Sequence, residues 1–262
     1  MLAQQRQQAI LDIVQQHGGV RVADLVREFS VSDMTIRRDL EVLADRGLIS
    51  KVHGGATTVG AASTEEPGFA AKSVRQRQEK DAIARRAARL VRPGTAIAVS
   101  AGTTTWTLAH RLTDIPELTV VTNSIQIADV FYRASRPDQT IVLTGGIRTP
   151  SDALVGPVAV NAIRSLNVDL LLLGVHGMST RAGFTTPNLM EAETDRAMVG
   201  AARRLAVLAD HTKWGTVGLS TIARLSDADV LITDSGLGDE TRKQLAEEVG
   251  ELITVEPDEA DA

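Results

Sequence analysis

The sequence predicts two modules: a small helical module that ends in a β-hairpin, followed by an α/β domain built on a doubly wound, mostly parallel sheet. Residues 1–58 place apolar side chains at helical spacing and finish in a short alternating segment. Beyond residue 80, short apolar runs alternate with amphipathic stretches, the pattern of parallel strands covered by helices on both faces. The length of 262 residues fits two such modules.

The amino acid composition narrows the class of protein. Hydrophobic residues make up 43% of the chain and charged residues 23%, which is ordinary globular usage. No apolar run approaches the roughly 20 residues of a membrane helix, and the amino terminus lacks a secretory signal, so we expect a cytoplasmic protein without a membrane partner. With no cysteine and five histidines, the sequence predicts neither a metal site nor a cofactor.

The net charge of −5 is unevenly distributed. Residues 1–58 hold seven Lys or Arg and seven Asp or Glu, residues 59–81 hold four of each, and residues 82–262 hold 17 against 22. The first module is therefore neutral, and a neutral module binds DNA when its cations share one face.

The first module reads as three helices. Ile10, Ile13 and Val14 follow the helical apolar rhythm until residues 17–19 end it, and Ala23–Phe29 forms a short second helix. The third helix follows after a brief turn.

The third helix has the clearest start signal. Ser32 is expected to cap a helix that begins near Asp33, and Ile36, Leu40 and Leu43 form its buried stripe. This spacing turns the opposite face of the helix outward.

A small β-hairpin is predicted after Gly47 ends the third helix. Residues 48–57 alternate and include His53-Gly54-Gly55-Ala56, where adjacent glycines permit the positive φ of a tight turn.

The third helix and the hairpin carry the candidate DNA contacts. Two arginines can donate to guanine edges or phosphates, two hydroxyls near the helix start can bind backbone oxygens, and two cationic residues lie on the hairpin. These residues are Ser32, Thr35, Arg37, Arg38, Lys51 and His53. The alternative is that the arginines are only solvated, with Asp39 and Glu41 as partners.

A family resemblance rests on these residues. The run Val31-Ser32-Asp33-Met34-Thr35-Ile36-Arg37-Arg38-Asp39-Leu40, followed by Leu43, Gly47 and His53-Gly54-Gly55-Ala56, resembles the amino-terminal signature of DeoR/GlpR-family bacterial transcription regulators. The resemblance implies a winged helix-turn-helix domain over 1–58 that binds double-stranded operator DNA through its third helix. Lys51 stands where arginine is more usual, which keeps the charge but loses the bidentate geometry.

A linker over 59–79 and a second domain over 80–258 complete the chain. Small and polar residues without an apolar period predict the linker. Six apolar runs read as strands of a parallel sheet. They are Ala96–Ser100, Leu118–Thr122, Thr140–Thr144, Val168–Gly174, Leu205–Ala209 and Val230–Thr233.

An anion-binding loop follows the first of these strands. Gly102 is expected to allow the tight turn into a helix, and free amides and hydroxyls at the helix start can hold a phosphate. The loop matches neither dinucleotide nor P-loop fingerprints, which favours a small phosphorylated ligand over a nucleotide. The alternative is that these threonines are plain caps.

Polar residues also follow the other strands, and the carboxyl ends of parallel strands meet in one crevice. The candidate effector-binding residues are Ser100, Gly102, Thr103, Thr104, Thr105, Asn123, Ser124, Arg148, Gly174, His176 and Lys213. Individually, His176 can be a structural histidine, Asn123 a turn former and Lys213 a solvated charge.

These motifs are similar to the sensor domain of the same family, which in turn resembles ribose-5-phosphate isomerases. The resemblance implies a sugar-phosphate effector and places Asp210 and Lys213 at the isomerase Asp-x-x-Lys loop. The segment 174–178 has no carboxylate for proton transfer, so turnover is not expected. The acids at 191, 193 and 195 are expected on an exposed helical face.

The sequence thus predicts a transcription regulator, a repressor of a sugar or polyol catabolic operon, that responds to a phosphorylated sugar. Operators for such domains are usually repeated, so a homo-oligomer, dimer or tetramer, is expected. Effector binding is expected to shift the sensor to an arrangement that misplaces the paired DNA-binding domains. The alternatives are a sugar-phosphate isomerase with an accessory DNA-binding module, and a constitutive DNA-binding protein with a degenerate sensor.

Overall fold

The computed structural model describes residues 3–17, 19–46, 48–52, 54–58 and 68–257. The chain divides into two compact units, residues 1–63 and 64–262. In the described part of the chain, no helix combines the length and apolarity needed to cross a membrane.

The first unit contains three helices and a small antiparallel sheet. Its elements are α1 (Ala3–His17), β1 (Gly19–Arg21), α2 (Val22–Phe29), α3 (Asp33–Asp45), β2 (Ile49–Val52) and β3 (Gly55–Thr58). The predicted stripe of Ile36, Leu40 and Leu43 is buried and packs against Ile10 and Val14 of α1. The predicted helices and hairpin are confirmed, whereas the helix stops expected at Gly18 and Gly47 lie outside the described residues.

The hairpin glycines have different roles from those predicted. Only Gly54 has a positive φ, of 81°, at the turn. Gly55 lies in β3, which pairs with β1 as well as β2. A Cβ on Gly55 would lie 2.1 Å from the Val20 carbonyl oxygen. Gly55 therefore permits the close approach of β1, a three-residue strand that the sequence pattern did not reveal.

The second unit alternates strands and helices. Its helices are α4 (Phe69–Ser73), α5 (Arg77–Ala88), α6 (Thr103–Leu112), α7 (Ile125–Ala134), α8 (Pro157–Arg164), α9 (Leu189–Ala201) and α10 (Asp239–Glu248). Its strands are β4 (Ala96–Val99), β5 (Thr119–Thr122), β6 (Thr140–Leu143), β7 (Ile147–Arg148), β8 (Leu154–Val155), β9 (Leu170–Gly174), β10 (Gly177–Ser179), β11 (Gly183–Thr186), β12 (Leu205–Leu208), β13 (Ser220–Ala223), β14 (Val230–Asp234) and β15 (Leu252–Val255).

Seven strands form one parallel sheet in the order β15-β14-β12-β9-β4-β5-β6. The chain starts at β4, builds outward to β6, and returns to β9 before building toward the other edge. The strand order therefore reverses between β4 and β9, and open α/β sheets bind ligands at such a switch point.

Helices cover both faces of this sheet, as predicted. Because side chains alternate along a strand, Leu171 and Leu173 belong to one core and Leu170 and Leu172 to the other. The first core includes side chains from α8, α9 and α10, and the second includes side chains from α5, α6 and α7. The doubly wound fold class is confirmed.

The structure also differs from the sequence prediction. The seventh strand, β15, was not predicted, nor was the three-stranded antiparallel sheet β10-β11-β13. Within the predicted linker, residues 69–73 and 77–79 are helical. Lys80 holds this segment in place, because its Nζ donates to the backbone carbonyls of Lys72 at 2.5 Å and Arg75 at 2.6 Å. The boundaries 1–58, 59–79 and 80–258 stay predictions.

Candidate functional site

The outer face of α3 is polar and exposed. Ser32 caps the helix as predicted, accepting a hydrogen bond from the Thr35 backbone N–H at 3.3 Å. Arg37 pairs with Asp33 one turn earlier, with Nε 2.5 Å from Oδ1, and both side chains are more than half exposed. Arg38 is exposed and has no ion-pair partner among the described residues. An exposed pair is weak, so a phosphate can replace Asp33 at little cost.

The inner face of α3 carries a buried acid. Asp39, which the sequence offered as a partner for the outer arginines, is only 4% exposed. It accepts hydrogen bonds from Arg6 Nε at 2.6 Å and Gln7 Nε2 at 2.9 Å, and so joins α3 to α1. Two of the predicted DNA contacts have no described position. The side chain of Lys51 and the whole of His53 lie outside the described residues.

In the second unit, a cleft opens at the carboxyl ends of β4 and β9, where the strand order reverses. The structure brings together several residues that the sequence predicted from separate strands. Those that line the cleft are Gly102, Thr103, Thr104, Gly174, His176 and Lys213.

One side of the cleft is cationic. Lys213 and Lys72 both line it, and Lys72 Nζ donates to Ser151 Oγ at 2.6 Å. The start of α6 adds backbone amides, because the first N–H groups of a helix have no intrahelical acceptor and Gly102 at the N-cap has no side chain to cap them. These groups together favour an anion.

Lys80 lies behind this cationic side and is 4% exposed. Burial lowers the pKa of Lys80 to about 8, an effect that Asp210 opposes and that the nearby cations Lys213, Lys72 and Arg75 reinforce. The buried Lys80 therefore stabilises the turn between α4 and α5 and so positions Lys72 at the cleft.

Lys213 ends a short 3₁₀ turn, His211–Lys213, whose position is fixed from both sides. Asp210 caps the turn by accepting from the Thr212 backbone N–H at 3.1 Å. His211 Nδ1 lies 2.7 Å from Oδ1 of the fully buried Asp234, and the His211 backbone N–H donates to Oδ2 at 2.7 Å. Burial opposes protonation of the ring, but the hydrogen bond and charge of Asp234 outweigh it and raise the pKa of His211.

Helix α9 forms an acidic side of the cleft. Glu191 and Asp195 lie one turn apart on α9 and both line the cleft. Glu191 accepts hydrogen bonds from Thr149 Oγ1 at 2.6 Å and Thr186 Oγ1 at 3.2 Å. The prediction that these acids occupy an exposed face is wrong, although Glu193, between them, is exposed. One cleft thus joins an anion-binding side to a side that carries carboxyl groups.

Two family models match the sequence. The DeoR-like helix-turn-helix domain matches residues 6–61, and the DeoR C-terminal sensor domain matches residues 75–235. The chain belongs to the DeoR family of transcriptional regulators. The resemblance drawn from the third helix and the hairpin is confirmed.

Named DeoR-family relatives match over most of the chain. An uncharacterized HTH-type transcriptional regulator, YgbI, from Escherichia coli K12 is 36% identical over 95% of this chain and 96% of its own length. The HTH-type transcriptional regulator GlpR of Haloferax volcanii is 35% identical over 94% and 95%. The glycerol-3-phosphate regulon repressor of E. coli K12 is 32% identical over 88% and 90%.

Solved structures with a similar fold are more distant. Ribose 5-phosphate isomerase A from Methanocaldococcus jannaschii is 14% identical, with a TM-score of 0.38 over 52% of this chain and 53% of that one. The eIF2B delta chain from Chaetomium thermophilum is 16% identical, with a TM-score of 0.40 over 53% and 50%. Likeness at this level says nothing about ligand or chemistry.

Five predicted effector contacts of this DeoR-family protein do not line the cleft. Ser100 Oγ accepts from the Gly174 backbone N–H at 3.0 Å, and Asn123 Oδ1 accepts from the Ala101 backbone N–H at 2.8 Å. These two side chains hydrogen-bond to the backbone of neighbouring loops and do not line the cleft. The other three are Thr105, fully buried with its hydroxyl on the Gly102 carbonyl; Ser124, which caps α7; and Arg148, exposed and paired with Asp152.

Gly102 lies at the turn into α6, as predicted. Its φ of 161° is extended backbone, so the turn into α6 does not require a left-handed residue. A Cβ here would lie 3.0 Å from Thr105 Oγ1. Glycine at position 102 therefore avoids a close contact between a Cβ and the Thr105 hydroxyl.

The sequence contained a signal for the acidic side that the prediction overlooked. Ala192, Asp195 and Met198 recur at a spacing of three, which places Asp195 on the buried stripe of α9. Glu191, four residues before Asp195, shares that side of the helix. Lys72 had no such signal, because its segment lacks an apolar period and its position depends on Lys80.

Proposed function

We propose that this DeoR-family regulator is a repressor of a sugar or polyol catabolic operon and that a phosphorylated sugar in the cleft controls its affinity for operator DNA. The exposed face of α3 supports the DNA contact. Arg37 and Arg38 can reach guanine edges or phosphates, and the Ser32 and Thr35 hydroxyls lie at the helix start, where major-groove helices contact DNA.

The observation that carries the effector proposal is the two-sided chemistry of the cleft. A phosphate fits the α6 amides, the Thr103 and Thr104 side, Lys72 and Lys213. Hydroxyl groups of a sugar fit the carboxyl oxygens on α9 and the ring of His176, which also line the cleft and can accept or donate hydrogen bonds. The name of one relative, a glycerol-3-phosphate regulon repressor, agrees with this ligand class.

The protein acts as a homo-oligomer in this proposal. One small DNA-binding unit supplies few contacts, and helix-turn-helix proteins gain specificity by binding repeated half-sites as dimers or higher multiples. α4 follows residues 59–67 directly in the chain and carries Lys72, so an effector bound by Lys72 acts on the segment that joins the two units. Effector control requires only that the ligand binds two arrangements with different affinity.

Fluorescence anisotropy on DNA from the upstream region of the gene tests the proposal. A panel of sugar and polyol phosphates should include one that changes operator affinity by about tenfold or more. Lys213→Ala should abolish that response without altering operator affinity in the absence of ligand. Lys243→Ala, which removes an exposed lysine on α10, is the matched control and should respond like the parent. A panel with no effect on operator affinity means that control through this cleft is wrong.

A second candidate activity is sugar-phosphate isomerisation. The observation that favours it is the presence of Glu191 and Asp195 in the cleft with Lys213, which supplies the carboxylates that segment 174–178 lacks. Incubation with ribose 5-phosphate tests it. Product formation that Lys213→Ala abolishes would support an enzyme with an accessory DNA-binding module, whereas ligand binding without product supports a sensor, which is the activity we favour.

A further inference from the structure

Asp195 is the most deeply buried ionisable group that lines the cleft. It is 8% exposed, faces the cleft, and has no hydrogen-bond partner among the described residues. Glu191, one turn away, is held by the hydroxyls of Thr149 and Thr186. The carboxyl group of Asp195 lines the cleft and has no partner among the described residues, so it can form hydrogen bonds with a ligand.

The surroundings of Asp195 disfavour the charged form of its carboxyl group. Burial and the negative charge of Glu191 raise the pKa of Asp195 well above its ordinary value, and only Arg196 opposes them. The other titratable groups that line the cleft are Lys72 on α4, Lys213 on the 3₁₀ turn and His176 after β9. A neutral carboxyl group offers one O–H donor as well as acceptor oxygens, which a carboxylate does not.

We propose that Asp195 binds a hydroxyl or carbonyl oxygen at the non-phosphate end of the effector, and so selects a phosphate ester with an uncharged polyhydroxy group over inorganic phosphate. The inference rests on the proposed function and names the residue that recognises the sugar part of the effector. Asp195 is then a specificity-determining residue, whereas Lys72, Lys213 and the start of α6 hold the phosphate that all such ligands share.

Two other occupants of the acidic side fit the observations less well. A metal ion needs more ligands than Glu191 and Asp195 supply, and the described residues contain no group of three or more acidic or imidazole side chains suited to a metal. An ammonium group would favour an ionised Asp195, whereas the burial of Asp195 and the adjacent Glu191 favour the neutral acid. A neutral hydroxyl or carbonyl is the partner that the protonated acid suits.

Calorimetric titrations with full-length protein test this proposal. Inorganic phosphate reports on the anion-binding groups alone. The organic ligands are glycerol 3-phosphate, ribose 5-phosphate, fructose 1-phosphate, fructose 6-phosphate, glucose 6-phosphate and glucosamine 6-phosphate. We expect at least one of the organic phosphates to bind more tightly than inorganic phosphate. Asp195→Ala should reduce that preference by about tenfold, the worth of one satisfied buried hydrogen bond, while the affinity for inorganic phosphate stays constant.

Two further variants separate specificity from structure. Asp195→Asn keeps a neutral donor of the same shape and should retain most of the preference. Glu193→Ala removes an exposed acid from the same helix and should leave every affinity unchanged. Parent affinity should fall more at alkaline pH than that of Asp195→Asn, because both proteins lose the charge of Lys80, whose pKa is about 8, and only the parent also ionises Asp195. Thermal melts of each variant show whether α9 remains folded.

The outcomes distinguish this inference from the proposed function. If no phosphate compound binds, the proposed function of the cleft fails. If organic phosphates bind more tightly than inorganic phosphate and Asp195→Ala keeps the same preference, the assignment of Asp195 is overturned while the effector site stands. Equal losses in the Ala and Asn variants, tighter binding of glucosamine 6-phosphate than of glucose 6-phosphate, or a panel that never exceeds inorganic phosphate would each overturn it as well.

Discussion

At the scale of single residues, burial sets the charge states around the cleft. Asp234 is fully buried, yet its pKa is lowered, because the hydrogen bonds and charge of His211 and the backbone donors at 211 and 236 outweigh the effect of burial. The hydrogen bond and charge of Asp234 in turn raise the pKa of His211. The dyad of His211 and Asp234 positions the turn that ends in Lys213. Protonation of His211 therefore affects a residue that is expected to bind the phosphate.

The dyad gives a pH-dependent stability. Because the pKa of His211 is higher in the folded protein, the folded state binds more protons than the unfolded state just above the ordinary pKa of about 6.5. The stabilisation is therefore complete below that pKa and is lost as pH rises through the folded value. His211→Ala should lower the free energy of unfolding by roughly 1.5–3 kcal/mol at pH 6 and by less at alkaline pH.

Urea unfolding at about pH 6 and pH 9 measures this difference. His110→Ala, which removes an exposed imidazole on α6, is the control and should lower the free energy of unfolding at pH 6 by less than His211→Ala does. An equal loss at both pH values for His211→Ala would show that the dyad is not the source.

At the scale of elements, the exposed and buried faces of α3 have separate tasks. The buried face is fixed by apolar packing and by the pair of Arg6 and Asp39, whose side chains are 10% and 5% exposed. The exposed face begins at the Ser32 cap and carries Arg37 and Arg38. A rigid inner face keeps the outer face in a fixed orientation, which base-edge contacts require.

Breaking the buried pair should destabilise the first unit. Arg6→Ala leaves the Asp39 carboxylate buried without its charge partner and should lower the free energy of unfolding by about 3–5 kcal/mol. Arg27→Ala removes one member of the exposed pair with Asp24 and should change it by less than about 1 kcal/mol. Denaturant titration of both variants makes the comparison, and similar losses in the two would contradict it.

Removing a cation from the outer face should weaken operator binding selectively. Arg38→Ala should reduce operator affinity by about tenfold or more, because a bidentate arginine contact contributes roughly 1–3 kcal/mol. Arg89→Ala removes an exposed arginine from the second unit and is the control. Unchanged binding by Arg38→Ala in anisotropy titrations would count against the assignment of α3 to the groove.

At the scale of the whole molecule, the net charge of −5 coexists with DNA binding because the charge is divided between the units. The first 58 residues are neutral and concentrate two arginines on one helix face, whereas residues 82–262 carry the acidic excess. The acidic body disfavours non-specific attachment to DNA, so affinity for the operator depends on the local cationic face.

Operator binding should depend steeply on salt. If two copies each place Arg37 and Arg38 on phosphates, roughly four displaced counterions predict about a hundredfold loss of affinity between roughly 50 and 200 mM salt. Anisotropy titrations at a series of salt concentrations give the slope, and Arg38→Ala should make it shallower. A slope near zero for the parent protein would exclude this mode of contact.

The sequence by itself determined the fold class, six of the seven strands of the parallel sheet and most of the anion-binding groups. Apolar periodicity is local, so the third helix with its Ser32 cap and the strand that leads to Gly102 are readable without the fold. The short edge strand β15 was missed because its apolar run lies within an acidic segment, and β1 because three residues carry no period.

Only the tertiary structure decided which of the polar side chains face the cleft. Lys72 reaches it because Lys80 fixes a corner of the backbone, and Asn123 leaves it because its amide is used by neighbouring loops. Asp195 lines the cleft because α9 packs with that stripe inward. A spacing rule tells which side chains share a face, but partners and burial come from elements distant in sequence, and those set the charge and hydrogen bonds of a site.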